Sequence, residues 1–593
     1  MPTLAVNNFN IGLSVLGGWV SLFGLVSFLC KEHFYLSEAL ISLLAGAAFS
    51  PHASNLIRPL EYTGSQEALD SATLYFSRLV LGIQLVIAGI QLPGRYLRKE
   101  WRALAILLGP IMVAMWVTTS LLIWALVPGL PFLHALVIGS CVTPTDPVLS
   151  NVIVKGKWAD RNVPKDLQDI ITAESGANDG LGYPFLFLAL YIIKYTGNGA
   201  GSAPGGAGMA MGMWFGENLG YTIILSAIYG AVVGWGAKEL LHWAEKRKYV
   251  DRESFLVFAF SLALFIVGTC GMIGSDDVLA CFIAGNTFTW DDWFRLETLD
   301  DSLQPAIDML LNIGIFIWYG AVAPWHQFLA NDVIPLYRLV PLGILILLFR
   351  RLPWVYAIHK KIPQIEHARQ AIFVGFFGPV GVSAVFYLYI TLEFLETLRD
   401  ENGELRPDVK QLPEAVLVVV WFICICSVVV HGLSIPLGKI GYHLPRTISR
   451  SLSEDTDNAA LNFRSRVSLR LPTFSTSRRT SLSRDRTSSS RPVSPGPSRV
   501  NPLGGAWGAV GTAPSAEPLP AQEDQQIQSP PERPGPPVIS CDRPRGEIGT
   551  GRSHVLGQEV DSAPSPPQLA SRAASGLASR TIRFPDEARG GDS

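Results

Sequence analysis

Charge is what this 593-residue chain has little of. Only 16% of its residues are Asp, Glu, Lys or Arg and 49% are hydrophobic, whereas a soluble domain carries about 25% charged residues. That deficit excludes an ordinary water-soluble globular protein for most of the length. From about residue 10 to 440 long apolar runs alternate with short polar loops, and from about 444 onward Ser, Pro, Arg, Gly and Asp dominate. Two regions follow: a membrane domain at 1–443 and a polar tail at 444–593. Cysteine spacing is the second deficit. Of seven cysteines most lie inside apolar runs (Cys30, Cys141, Cys270, Cys281, Cys424, Cys426), and Cys424-Ile425-Cys426 is not a CxxC. Small buried hydrophobes are expected there, with no cysteine metal site and no cofactor. His33, His134, His326 and His431 are isolated, with no metal partner at helical spacing, and read as interface or packing residues. No Lys or Arg precedes the first apolar run, Ile11 to Cys30. A secretory signal would have such a basic start and a shorter apolar stretch, so this run reads as the first membrane span. The net charge of −2 singles out no partner, and no nucleic acid is expected.

A spanning helix needs about 20 apolar residues. Thirteen candidates follow, at about 11–30, 36–51, 73–93, 103–127, 133–153, 169–195, 219–241, 254–272, 277–289, 304–323, 333–358, 369–395 and 414–438. The second and ninth are short, which leaves a count of twelve open. Basic residues mark cytoplasmic loops. Arg95, Arg98, Lys99 and Arg102 follow span 3; Lys155, Lys157, Arg161 and Lys165 follow span 5. Lys238, Lys246, Arg247, Lys248 and Arg252 follow span 7, and Lys360, Lys361 and Arg369 follow span 11. Every basic loop follows an odd-numbered span, so the N-terminus is expected outside and the tail inside. The acidic loop after span 9 (Asp291, Asp292, Glu297) is the exception.

Two spans carry breaks. Span 5 contains Thr143-Pro144-Thr145-Asp146-Pro147. Pro144 and Pro147 each remove an N–H and clash one turn back, so the helix is interrupted with Asp146 at the break. Span 12 contains Gly375-Phe376-Phe377-Gly378-Pro379-Val380-Gly381, whose Gly378 and Pro379 interrupt it in turn. Freed backbone groups at membrane depth survive only inside protein or beside a wet cavity. Interrupted helices at matching positions of two halves point to a transporter site at the midplane. A plain proline kink beside a packed Asp is the alternative.

The carboxylates stand next to these breaks. Glu174-Ser175-Gly176-Ala177-Asn178-Asp179-Gly180 opens an apolar run from Leu181 to Tyr195, and an ionisable group at membrane depth is costly unless it is used. Ser175 and Asp179 share a helix face, as do Glu174 and Asn178. Pro184 frees the Gly180 carbonyl. A hard alkali cation needs several oxygens at once. Asp179, Ser175, Asn178, Thr145 and carbonyls of the broken span supply them. A deprotonated Asp179 binds the cation and a protonated one does not, so competition at one group suffices for exchange. A structural polar cluster between helices is the alternative. Asp276 and Asp277 open span 9 as secondary acidic candidates, at a cation entry, a second site or a solvated loop end. Span 11 ends in Arg350-Arg351; Arg351 is the one expected to pair with Glu174, and Arg350 to snorkel to the interface.

Thr143–Pro147 and Glu174–Gly180 resemble the two signature stretches of the cation:proton antiporter 1 family. Asp276-Asp277 followed by Leu279-Ala280-Cys281-Phe282-Ile283-Ala284-Gly285, and Phe376-Phe377-Gly378-Pro379-Val380-Gly381-Val382-Ser383-Ala384, are similar to its fungal plasma-membrane branch of alkali metal cation/H+ antiporters. The resemblance covers about residues 10–440. It implies an all-α fold of thirteen helices in inverted repeats, a homodimer, and elevator-like movement. It also implies Asp179 as the ion- and proton-carrying residue, Asn178 beside it, Asp146 lining the site from the broken helix, and Glu174 with a span 11 arginine, Arg351, as a supporting ion pair; Thr143 and Thr145 of the same break join the candidate ion-binding residues. The implied substrates are Na+, K+ and Li+ exchanged for H+ across the plasma membrane, for cation and pH homeostasis, with no enzyme activity.

Residues 444–593 are too polar and proline-rich to bury a core and are expected to be disordered. Arg478-Arg479-Thr480-Ser481 and Ser494-Pro495 resemble kinase sites. Phosphate there would cancel Arg charge near an anionic leaflet; a passive solvated tail is the alternative. Two other function classes use membrane carboxylates or pass cations. An intramembrane aspartyl protease would carry Gly-x-Gly-Asp, but Asp179 follows Gly-Ala-Asn. A cation channel would carry a selectivity-filter loop, and none is visible.

Overall fold

The computed structural model describes residues 4–435 apart from 31–33, 35, 156, 198–202 and 400–402. They belong to the compact unit that begins at Met1; the second unit, Phe463–Gly576, lies outside the described residues. So do His33 and the whole tail at 444–593 with its kinase-like sites.

Among the described residues the chain is helical, with one isolated β-bridge between Arg399 and Leu405. Leaving aside single-turn pieces such as Pro59–Thr63 and Trp293–Glu297, the helices in order are α1 (Asn8–Phe28), α2 (Glu38–Phe49), α3 (Gln66–Gln91), α4 (Trp101–Leu126), α5 (Phe132–Cys141), α6 (Pro147–Val154), α7 (Lys165–Gly180) and α8 (Tyr183–Thr196). Next come α9 (Gly206–Lys246), α10 (Arg252–Ile273), α11 (Asp277–Phe288), α12 (Leu303–Val322), α13 (Leu336–Phe349), α14 (Leu352–Ile358), α15 (Ala368–Phe376), α16 (Val382–Glu396) and α17 (Leu412–Ile435). Helix falls on each of the thirteen expected spans. Eight helical stretches are long and apolar enough to cross a membrane by themselves, α13 and α14 counting as one. The short second and ninth spans are α2 and α11, both apolar. Short polar caps set several starts: Ser65 accepts from the Ala68 amide at 3.2 Å, and Asp251 from the Ser254 amide at 2.9 Å.

Burial sorts the helices. The apolar window of α1 is 6% buried and that of α10 28%, whereas that of α3 is 78% buried. The first two turn apolar side chains outward, as a lipid-facing helix does, and α3 runs through the interior. Because lipid is as apolar as leucine, membrane helices associate through close packing of small residues. Helix α11 is held in this way on two sides. A Cβ on Gly89 of α3 would stand 2.6 Å from the Phe282 carbonyl oxygen, and Gly230 and Gly234 of α9 lie against the backbone of Ala280 and Ala284.

The acidic loop after span 9 makes contacts with neighbouring segments that carry basic residues. Asp292 accepts from the Gly94 amide at 2.8 Å and pairs with Arg295 at 2.7 Å. Asp291 pairs with Lys238 at 3.2 Å. Two of its acidic residues are therefore paired, Asp292 with Arg295 of the same loop and Asp291 with Lys238 of α9.

Candidate functional site

Both expected interruptions are present, and they meet. Residues 142–146 separate α5 from α6, and residues 377–381 separate α15 from α16. Pro147 is the first residue of α6, where its missing N–H costs nothing. The Asp146 amide donates to the Pro379 carbonyl at 2.9 Å, joining one break to the other.

Each break exposes two helix ends of opposite polarity, and one buried charge serves each polarity. The carboxylate of Asp146 accepts from the Val148 amide at 2.8 Å through Oδ1 and from the Val382 amide at 2.7 Å through Oδ2. It thereby caps the positive ends of both α6 and α16. The guanidinium of Arg350 donates to the carbonyls of Val142, of Thr143 at 3.2 Å and of Pro144 at 3.3 Å, and through its other arm to that of Gly378. It neutralises the negative ends of α5 and α15. Arg350 is 2% exposed, so the snorkelling expected for it is wrong. A carbonyl-rich break holds it more strongly than an interface would, and the sequence showed the break without showing which side chain would reach it.

Asp146 and Thr143 are placed differently from the ligands expected of them. Both Asp146 oxygens are taken by backbone amides. The Thr143 hydroxyl donates to the Gly139 carbonyl at 2.7 Å, one turn back along its own helix. Thr145 does face the signature stretch of α7. Its amide donates to Asn178 Oδ1 at 3.1 Å, its hydroxyl accepts from Asn178 Nδ2 at 2.7 Å, and the Ser175 hydroxyl lies 3.2 Å from that same oxygen. Asn178 thus clasps the broken strand to α7.

Asp179, one residue on, is fully buried, and neither carboxylate oxygen has a hydrogen-bond partner among the described residues. Asp146 and Asp276 lie within its electrostatic reach. Ser383, in the first turn of α16, faces the carboxyl without completing a hydrogen bond, and its own buried hydroxyl is partnerless. Ser383 was missed by the sequence reasoning; a hydroxyl in the first turn after a break was the available signal. Tyr387, one turn further, was missed too. Its hydroxyl donates to the Asp179 carbonyl at 2.5 Å and to the Gly180 carbonyl at 3.2 Å, the latter being the group that Pro184 frees.

Glu174 and Arg351 form a two-pronged pair, both side chains 3% exposed. Arg351 Nη2 donates to Oε2 at 2.8 Å, Nη1 donates to Oε1, and Nε donates to the Val374 carbonyl at 3.0 Å. The second break makes room for this arginine, since a Cβ on Gly378 would collide with its Cδ. Asp276 and Asp277 are 1% and 3% exposed, so neither sits at a solvated loop end. Asp277 pairs with Arg78 of α3 at 2.7 Å. Asp276 caps α11 by accepting from the Leu279 amide at 3.0 Å, and its other oxygen is buried without a partner.

Two interrupted helices meeting beside an unpartnered carboxylate, inside a bundle of membrane-spanning helices, define the architecture of a secondary transporter. The chain belongs to the sodium/hydrogen exchanger family, whose transmembrane region matches residues 19–437. It is 35% identical over 449 residues to the Na+/H+ antiporter 2 of Zygosaccharomyces rouxii, covering 74% of this chain and 54% of that one. It is 35% identical over 481 residues to the Na+/H+ antiporter of Saccharomyces cerevisiae, covering 79% and 47%. The chain therefore spans about half the length of these two relatives. Against the Na+/H+ antiporter of Schizosaccharomyces pombe it is 30% identical over 460 residues, covering 76% of this chain and 96% of that one. Its fold is similar to that of the sodium proton antiporter MjNhaP1 from Methanocaldococcus jannaschii, with a TM-score of 0.50 at 16% identity, covering 72% of this chain and 99% of that one.

Proposed function

We propose that this chain is a secondary active antiporter that carries Na+, and with it K+ and Li+, in exchange for H+ by alternating access. The observation that carries the reading is the Asp179 carboxylate, buried beside the meeting breaks with both oxygens unpartnered. A carboxylate left so at membrane depth is costly unless a proton or a cation occupies it. With the hydroxyls of Ser175 and Ser383 and the oxygens of Asn178 and Thr145 around it, Asp179 offers a hard cation the oxygen set it needs. Proton and cation compete for the same group, and that competition is the exchange. Asp146 and Arg350 keep the broken helices neutral, and Glu174 with Arg351 ties α7 to α14 and α15. Asp276 is the secondary acidic group, and Arg78 holds Asp277. A homodimer in the plasma membrane, with the N-terminus outside and a 444–593 tail inside open to kinases, completes the reading.

The test is exchange in reconstituted vesicles with an acidic lumen. Adding Na+ outside, with the membrane voltage clamped, should alkalinise the lumen. Asp179→Asn should abolish the response while the variant still elutes as a single folded species. Exchange at the normal rate by that variant would remove Asp179 from the site. Na+ entry without a pH change would favour the channel.

A further inference from the structure

Two backbone groups of the second break that neither Asp146 nor Arg350 reaches meet side chains of α17, the Phe376 carbonyl in addition to its bond from the Gly378 amide at 3.0 Å. The Val380 amide donates to the Ser427 hydroxyl at 2.7 Å. His431, one turn further along α17, places Nε2 at 3.1 Å from the Phe376 carbonyl, the last of α15. Its Nδ1 lies 3.1 Å from the Ser427 hydroxyl and 2.9 Å from the Ser427 carbonyl. The imidazole thus stands between the Phe376 carbonyl on one side and the Ser427 hydroxyl and carbonyl on the other, while the Ser427 hydroxyl oxygen receives the Val380 N–H. One chain of hydrogen bonds thus runs from the start of the break, through two side chains of α17, to its far end. The imidazole also packs against Phe376 and Phe377, with ring centroids 5.4 and 6.1 Å away. His431 is 5% exposed and Ser427 fully buried, so water does not replace either contact cheaply.

We infer that Ser427 and His431 are positioning residues that latch the 377–381 break to α17 and so set the height of the two groups this break presents to the first. Those groups are the Gly378 carbonyl on Arg350 and the Val382 amide on Asp146. Neither latch residue touches Asp179 or its oxygen ligands. Both act through the backbone between Phe376 and Val382, where Gly381 leaves no freedom to compensate, since a Cβ there would collide with Asp146 Oδ2. The effect on transport rests on the antiport reading; the latch itself does not.

Hydrogen–deuterium exchange of the peptide covering 376–384 reads the latch without any transport assay. Ser427→Ala and His431→Phe should each raise exchange at the Val380 amide about tenfold, and the double variant no further, because either change opens the same chain. Ser427→Thr, which keeps the hydroxyl, should exchange as the wild type does. In vesicles the two disruptive variants should raise the Na+ KM several-fold more than they lower turnover, and Ser427→Thr should restore both. Wild-type protection in Ser427→Ala, or additive effects in the double variant, would overturn the inference. If Ser427→Ala does not fold, His431→Gln keeps a donor for Phe376 and loses the acceptor for Ser427, and the same exchange at Val380 should rise. Should the wild type fail to exchange cations at all, the antiport reading falls while the deuterium measurement still decides the latch.

Discussion

The pair between Glu174 and Arg351 yields the sharpest number. Glu174→Gln preserves shape and removes the charge. In the native protein both Arg351 Nη groups donate to Glu174, one of them at 2.8 Å, and both side chains are buried. The glutamine oxygen replaces one of these acceptors. Its amide NH2 faces the other guanidinium N–H, so one attraction becomes a donor–donor clash. A hydrogen bond to a charged group is worth about 1.5–3 kcal/mol, and breaking a buried ion pair by removing one partner costs about 3–5 kcal/mol. Arg351 keeps the glutamine oxygen and the Val374 carbonyl, neither of them a counter-charge, and its guanidinium stays buried. We therefore expect Glu174→Gln to destabilise the protein by about 3–5 kcal/mol. The assay is denaturant unfolding in detergent, followed by α-helical signal, with Arg351→Gln and the double variant completing a cycle. The double variant should be less damaging than either single change added to the other, because both charges leave together. Stability of Glu174→Gln within about 1 kcal/mol of wild type would refute the argument, since it would mean that the pair reaches water or another counter-charge.

Three further outcomes follow from the same geometry. Gly381→Ala should sharply reduce folded protein, measured as the monodisperse fraction in detergent, because its Cβ would collide with Asp146 Oδ2 and displace it from the Val382 amide. Tyr387→Phe should cost about 1–3 kcal/mol in the same unfolding assay, by leaving the Asp179 carbonyl without its phenol donor. Arg78→Gln should destabilise by about 3–5 kcal/mol through the uncompensated Asp277 carboxylate, and Asp277→Asn combined with it should recover part of that loss.

The spans and the breaks were legible because each is written in local chemistry. Apolar length gives a helix its span, and Pro144, Pro147, Gly378 and Pro379 interrupt helices wherever they stand. Asp179 stood out for a similar reason: a carboxylate in an apolar run is costly at membrane depth. The partners of the breaks were not legible, because they come from far along the chain. Arg350 reaches Val142 across 208 positions, and Val382 reaches Asp146 across 236. Nothing adjacent in sequence distinguishes Arg350 from Arg351, yet one serves four carbonyls and the other a carboxylate. His431 read as a packing residue for a similar reason: its ring does pack, but its hydrogen bonds go to a segment 55 residues away.

That division explains why Asp146 and Asp179 differ although both are aspartates beside the same breaks. Asp146 stands at the start of a helix, and a second helix start lies within reach, so amides consume both of its oxygens. Asp179 stands at the end of α7, where two backbone carbonyls, its own and that of Gly180, face the Tyr387 hydroxyl. Tyr387 takes up the Asp179 and Gly180 carbonyls, and neither carboxylate oxygen has a hydrogen-bond partner among the described residues. Helix polarity therefore accounts for the amides on Asp146, and on the proposed reading Asp179 is the carboxylate left to bind. Moving a donor beside Asp179 should turn the second into the first. Ser383→Asn would place an amide donor where the hydroxyl now faces the carboxyl, and it should raise the Na+ KM well beyond Ser383→Ala, which only removes the hydroxyl. An unchanged KM in that variant would show that polarity at the helix ends does not decide which carboxylate carries the ion.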